Sequence, residues 1–138
     1  MELLLRWNIL IITGFLLSVV PTAPVGAQTQ KQLPPPNCKD PQTTRDMIEC
    51  GERTYKEASK KLSSINKQLL DKVSVSQRKR LVASHQNWLK HRDTFCAFEA
   101  GMYEGGTLEP TTRINCYARM TNERSQELNT WLIELNRR

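Results

Sequence analysis

Three long segments of the chain place apolar residues at steps of three and four, the spacing that keeps side chains on one face of an α-helix. No stretch alternates apolar and polar residues over the length of a strand, and no Asn-Gly or Asp-Gly pair separates two β-branched runs. The sequence therefore predicts an all-α fold. We call the residues on each such face a stripe. The first stripe is Met47, Thr54 or Tyr55, Ala58, Leu62, Ile65 and Leu69; the second is Leu81, His85, Trp88, Arg92 and Phe95; and the third is Tyr117, Thr121, Arg124, Leu128, Trp131 and Leu135.

Capping signals set the start of the first two helices. In a capping box, a Ser or Thr side chain accepts a hydrogen bond from the backbone N–H three residues later. The side chain of that later residue accepts a hydrogen bond from the backbone N–H of the Ser or Thr. The first helix is expected from Thr43 to about Leu70, and the second from Ser74 to about Glu99. The two candidate boxes are Thr43 with Asp46 and Ser74 with Gln77.

A glycine-rich segment separates the second and third stripes. Its helix-breaking residues predict an irregular loop, after which a third helix takes up the C-terminal part of the chain. Short connections between long helices favour an up-down-up antiparallel three-helix bundle. The breakers are Gly101, Gly105, Gly106 and Pro110.

The first 27 residues predict a secretory signal peptide. One early arginine, Arg6, precedes an apolar run from Ile9 to Val20 and a small-residue site that ends at Ala27. A retained membrane anchor is the alternative, but the uncharged core is shorter than the ~20 residues that span a bilayer. We expect a proline-rich disordered leader over residues 28–37, a helical domain over residues 38–138, and no stable membrane insertion after cleavage.

Four cysteines in an exported chain predict two disulfides that staple the bundle. A zinc site that adds His85 or His91 is set aside, because no pair has metal-ligand spacing. Three pairings are possible. Antiparallel packing of the second and third helices favours Cys96 with Cys116, since both lie equally far from Gly106, and leaves Cys38 for Cys50.

Several polar residues occupy positions that face the predicted core. A buried arginine requires a partner, so these residues predict a structural network of ion pairs and hydrogen bonds, with a catalytic or anion-binding cluster as the alternative. His85 is expected to be a core histidine and His91 to face solvent. The network is Trp88, Arg92, Asp93, Thr121 and Arg124.

No catalytic motif is present: the sequence lacks a nucleophile elbow, a phosphate-binding loop, and a carboxylate pair arranged for glycoside hydrolysis. We therefore predict a protein that is not an enzyme and that needs no cofactor or metal.

The net charge of +6 is concentrated along the first helix and the turn into the second. In an exported protein such a basic face favours anionic wall, lipid or protein partners over nucleic acid, and an ordinary solvated face is the alternative. The basic face consists of Lys56, Lys60, Lys61, Lys67, Lys72, Arg78, Lys79 and Arg80.

The spacing of the cysteines and the polar residues around them resembles the LprI-like lysozyme-inhibitor N-terminal domain family. The resemblance extends from about Cys38 to Leu135. It implies an exported, disulfide-stabilised helical domain that inhibits lysozyme or another peptidoglycan hydrolase. The matching residues are Cys38, Met47, Cys50, Trp88, Arg92, Asp93, Cys96, Ala97, Phe98, Glu99, Gly105, Gly106, Thr107, Cys116, Thr121, Arg124 and Leu128.

The loop at 98–109 is the predicted partner-binding segment, because it is acidic and aromatic in an otherwise basic chain. Animal-type lysozymes are basic, so a local acidic surface with an aromatic anchor would favour their binding. The alternative is a loop that only caps the bundle. The predicted partner-binding residues are Phe98, Glu99, Tyr103, Glu104 and Glu109.

Overall fold

A computed structural model describes residues 34–138 and contains three α-helices. They are α1, Thr44–Lys72; α2, Val75–Gly101; and α3, Leu108–Asn136. No strand occurs in this range, which confirms the all-α prediction. None of these helices has both the length and the apolar content needed to cross a bilayer. The predicted signal peptide and most of the predicted leader lie outside the described residues.

The N-terminal ends of α1 and α2 are capped by the side chains that the sequence indicates. Thr43 Oγ1 accepts the backbone N–H of Asp46 at 3.1 Å, and the Asp46 carboxylate accepts the backbone N–H of Thr43 at 3.2 Å. Ser74 Oγ accepts the backbone N–H of Gln77 at 3.3 Å. Only Val73 and Ser74 separate α1 from α2, so the chain reverses sharply. We call this end of the bundle, with the last turns of α3, the turn end.

The glycine-rich loop is shorter than predicted. Gly101 is the last residue of α2, and α3 begins at Leu108, so the loop comprises only residues 102–107. Pro110 lies in the first turn of α3, where a backbone N–H has no helical partner and proline is tolerated. Gly105 has φ +73°, a left-handed conformation that favours glycine. We call this loop and the flanking residues 95–109 the loop end.

α3 is the central helix, and both other helices pack against it. At the turn end the core is aliphatic. Towards the loop end it contains Cys96, Cys116 and Met120, bordered by Trp88 and Tyr117. The aliphatic cluster consists of Leu62, Ile65, Leu69, Leu128 and Leu132, with Leu81, Trp88 and Leu135 packed around it.

Contacts between the helices are consistent with the expected up-down-up order. Along α2 and α3 the bonded pairs run in opposite directions, from Cys96–Cys116 to Ser84–Arg124. Along α1 and α3 the contacts run in the same direction: Gly51 lies against Ile114, and further along both helices Ser125 Oγ lies 3.5 Å from the carbonyl oxygen of Ala58.

Two stripe positions are more exposed than the sequence predicts. Trp131 is 60% exposed, and Leu132 takes the buried position instead. Leu132 lies four residues after Leu128, a step that stays closer to the buried face of α3 than the three-residue step to Trp131. Phe95 is also partly exposed, whereas its neighbour Cys96 is buried.

Both disulfides lie towards the loop end. Cys38 is bonded to Cys50, and Cys96 to Cys116, the pairing favoured by the helix order. The first holds the segment that precedes α1 against that helix. The second joins α2 to α3 in the core. Together the two bonds use every cysteine of residues 34–138.

Candidate functional site

The loop end exposes a group of large apolar side chains. Phe98 is 68% exposed and Met102 72% exposed, and Phe95 lies against Phe98 with ring centroids 6.3 Å apart. Tyr103 and Leu108 are each about half exposed. Exposed apolar groups that cluster in this way are typical of protein interaction sites.

Three carboxylates accompany these side chains, but two of them are ion-paired. Glu99 accepts Arg119 at 2.7 Å, across from α2 to α3. Glu104 lies in the loop, is exposed, and forms no ion pair within residues 34–138. It is therefore the carboxylate at this end that is free to meet a cationic partner.

Glu109 has a structural role at the start of α3. Its carboxylate accepts the backbone N–H of Gly105 at 3.1 Å and the guanidinium of Arg113 at 2.8 Å. The hydrogen bond from Gly105, and then that from Arg113, lower the pKa of Glu109 below its ordinary value. Glu109 therefore fastens the loop to α3.

The prediction of a single acidic loop over 98–109 needs a correction. Phe98 and Glu99 lie on α2 and Glu109 on α3, so only Tyr103 and Glu104 belong to the loop itself. The helices extend further because glycine is tolerated in a last helical turn and proline in a first one. The predicted residues thus share one end of the bundle, on three elements.

Arg92 joins all three helices through aromatic rings. Its guanidinium carbon lies 5.6 Å from the ring centroid of Tyr55 on α1, 5.3 Å from Trp88 on α2, and 5.1 Å from Tyr117 on α3. These distances are within the range of cation–π attraction. The Asp93 carboxylate also forms an ion pair with the Arg92 guanidinium at 2.7 Å. Such an arrangement fixes the relative positions of the helices.

Arg124 forms a second, separate polar cluster. It donates to Ser84 at 2.9 Å and to Glu127 at 2.7 Å. The Thr121 side chain is buried, and its hydroxyl has no hydrogen-bond partner within residues 34–138. Of the residues predicted to form one network, Trp88, Arg92 and Asp93 lie in one cluster and Arg124 in another, whereas the Thr121 hydroxyl joins neither.

His85 is half-buried at a groove of ≈ 590 Å³ between α1 and α2. Its Nδ1 lies 3.2 Å from Nδ2 of Asn66, and its ring stacks on Trp88 at 5.9 Å. Burial, and then the charges of Arg124 and Arg92, lower the pKa of His85 below 6.5. The lowered pKa makes the ring a weaker base, and its contacts with Asn66 and Trp88 are those of a histidine in a structural role. His91 is exposed, as predicted.

Sequence reasoning missed two exposed residues of the loop end, Met102 and Leu108. The available signal was their chemistry: each is a large apolar residue beside the polar, glycine-rich segment that already predicted an exposed turn. It also missed Tyr55 as a partner of Arg92, because a stripe position on one helix does not reveal which residue of another helix it meets.

The fold and site define a small, disulfide-crosslinked helical protein that exposes apolar and acidic side chains at one end. A family model described as lysozyme inhibitor LprI matches residues 37–128, and the chain belongs to that family. An uncharacterised protein of Rhizobium meliloti (strain 1021) is 26% identical, over 78% of this chain and 84% of that protein. No solved structure matches the chain.

Family membership and the disulfides indicate a protein that works outside the cytoplasm. The family is one of inhibitors, which accords with the prediction that the chain is not an enzyme.

Proposed function

We propose that this protein inhibits a lysozyme-type peptidoglycan hydrolase through the loop end of an up-down-up bundle. The observation that carries the proposal is the coincidence, in a member of a lysozyme-inhibitor family, of exposed Phe98 and Met102 with a carboxylate free of ion pairs, Glu104. In this proposal the side chains of the loop end bind in the active-site cleft of the hydrolase.

The electrostatics support Glu104 as the group that meets the enzyme. The whole chain carries a charge of +6, so it repels a basic lysozyme at long range. Association is then favoured only where the local charge is reversed. Glu99 and Glu109 are each neutralised by an arginine, which leaves Glu104 as the carboxylate that can pair with a cation of the enzyme.

Phe98 supplies the apolar part of the contact. It projects from the last turns of α2, a rigid position next to the Cys96–Cys116 bond, so little conformational entropy is lost when it is buried. Exposed aromatic residues on rigid elements are frequent anchors of protein interfaces. The disulfide thus holds the anchor ready for binding.

The test is a turbidity assay of cell-wall lysis by lysozyme with increasing amounts of the purified, oxidised protein. Glu104→Lys and Phe98→Ala should each weaken inhibition at least tenfold. Glu57→Lys is the matched control: it makes the same change of charge at an exposed position on α1, away from the loop end. Inhibition that is absent at large molar excess against several lysozyme types would refute the proposal, as would equal effects of the two charge reversals.

A second candidate function is binding of anionic envelope material by the basic face. All eight of its Lys and Arg side chains are exposed, and none forms an ion pair with another residue of the range 34–138. Sedimentation with anionic wall material or vesicles at low salt and at about 0.5 M salt tests it, because screening at high salt should release the protein. Absence of binding at low salt would exclude this function.

A further inference from the structure

The turn end carries an exposed tryptophan surrounded by cations. Trp131 is 60% exposed, although it lies on a helix whose other face is core. It borders two shallow concavities, one with Lys72, Arg80 and Arg138 and the other with Ile133 and Arg137. We name the surface formed by these six residues the Trp131 face.

The charge of this face is predominantly positive. Its two concavities contain five cationic side chains and two carboxylates, Glu127 and Glu134. Glu127 is paired with buried Arg124 at 2.7 Å, and Glu134 is shared between the last two arginines at 3.7–4.0 Å. Lys72 and Arg80 have no ion-pair partner within the described residues. The surface therefore complements a negatively charged partner.

The apolar residues of the face distinguish between two kinds of anionic partner. A soluble polyanion would contact the cations but would provide no apolar phase to cover an indole ring. Tryptophan is characteristic of the water–hydrocarbon boundary of membranes, where its ring is apolar and its N–H remains hydrated. Ile133, about half exposed beside Trp131, adds to the apolar surface.

We infer that the Trp131 face docks the protein on an anionic lipid bilayer, with the indole ring at the headgroup level and the surrounding cations on lipid phosphates. Each lysine or arginine near such a surface adds attraction, and the tryptophan adds an interfacial contact. Trp131 lies 23 residues after Leu108 along α3, so it is about 35 Å from the loop end at 1.5 Å per residue. The Trp131 face shares Lys72 and Arg80 with the basic face, so the inference moves the binding of anionic envelope material to the turn end and names a lipid bilayer as the partner. It does not depend on inhibition of lysozyme.

The test is co-sedimentation of the exported, oxidised protein with vesicles of phosphatidylcholine, with and without 30% phosphatidylglycerol, a ratio of about one anionic lipid in three. We expect binding only to the anionic vesicles and release at about 0.5 M salt. Trp131→Ala should weaken partitioning about tenfold, and Lys72→Ala and Arg80→Ala about fivefold each. Phe98→Ala, which removes an exposed aromatic side chain at the opposite end, should have no effect. All variants share the same N-terminal segment, so any contribution from it is common to them.

Tryptophan fluorescence provides a second measurement that does not depend on pelleting. The wild-type spectrum minus that of Trp131→Phe should shift to the blue when anionic vesicles are added. The inference is overturned if partitioning is absent at low salt, is equal on neutral vesicles, or is unchanged in Trp131→Ala. Binding that is unchanged in Trp131→Ala but is competed by soluble polyphosphate would assign the basic residues to a polyanion instead.

Discussion

The loop end and the turn end of the bundle differ both in how they are held together and in what they expose. At the loop end two disulfides fix the helices, and the exposed groups are aromatic and acidic. At the turn end a cluster of leucines and an isoleucine fixes the helices, and the exposed groups are basic, with Trp131 among them. The same three helices therefore present two surfaces of opposite charge.

This difference shows how a small domain can expose large apolar side chains and still hold together. Phe98 and Met102 contribute little to the core, since each is more than two-thirds exposed. The covalent bond between Cys96 and Cys116 compensates for that missing burial where the two helices meet the loop. The turn end has no such bond and depends on aliphatic packing.

The largest expected effect is on the aliphatic cluster. Leu128→Ala should lower the free energy of unfolding by about 4 kcal/mol, because it removes a buried side chain and leaves a cavity between α1 and α3. Urea denaturation followed by circular dichroism measures the change. Ile133→Ala, at a half-exposed position of the same helix, should cost less than about 1 kcal/mol. Similar losses in the two variants would mean that the turn end has no distinct core.

Removal of the interhelical disulfide should have the next largest effect. The double variant Cys96→Ala/Cys116→Ala should lose about 3 kcal/mol, because the bond closes a loop of 20 residues. The matched variant Cys38→Ala/Cys50→Ala should lose less, since its loop has 12 residues and Cys38 is exposed. Urea midpoints of the two double variants, measured side by side, test the order. The reverse order would show that the segment before α1 matters more than the helix pair.

Exposed residues at the two ends should affect different functions. Phe98→Ala should weaken lysozyme inhibition by about thirtyfold, the loss of a binding hot spot, and leave vesicle binding unchanged. Trp131→Ala should do the opposite. Both variants keep the core intact, so circular dichroism and thermal midpoints serve as the control. Loss of both functions in either variant would mean that one surface serves both.

Much of this fold was predictable from the sequence, because helical periodicity and capping are local signals. The box formed by Thr43 and Asp46 sets the start of α1 by itself. The end of α2 and the start of α3 were not predictable, because Gly101 and Pro110 are compatible with helix ends as well as with loops.

The candidate site was predictable as a region and less so as a set of interactions. Acidic and aromatic residues around a glycine-rich segment marked the loop end. The neutralisation of Glu99 by Arg119 depends on which faces of α2 and α3 meet, 20 residues apart in the chain. The same holds for Arg92, whose aromatic partners come from three helices. The residue pattern of one helix does not specify which side chains of another helix it will contact.

A close contact between α1 and α3 gives a smaller stability prediction towards the loop end. A Cβ atom at Gly51 would lie 2.7 Å from Cγ2 of Ile114 and 2.8 Å from Oδ1 of Asn115. Gly51→Ala should therefore lower stability by about 1–2 kcal/mol, despite the better helix propensity of alanine, because the stiff Ile114 side chain must shift. The double variant with Ile114→Ala should recover part of the loss in the same urea experiment. A stabilised single variant would show that the helices can separate freely at this point.

The smallest expected effect is a pH dependence between the two ends, at His85. Burial and the neighbouring Arg124 and Arg92 lower its pKa in the folded state, so the unfolded chain binds the proton more tightly. Stability should be level above pH 6.5 and should fall as the pH drops below that value, where the unfolded histidine becomes protonated. Because solvent screens the half-buried ring, we expect a loss below about 1 kcal/mol at pH 5.5. Urea midpoints at pH 7.5 and 5.5 should differ less in His85→Gln, whose amide can still bond to Asn66 but does not titrate. An equal difference in that variant would show that His85 is not the source of the pH dependence.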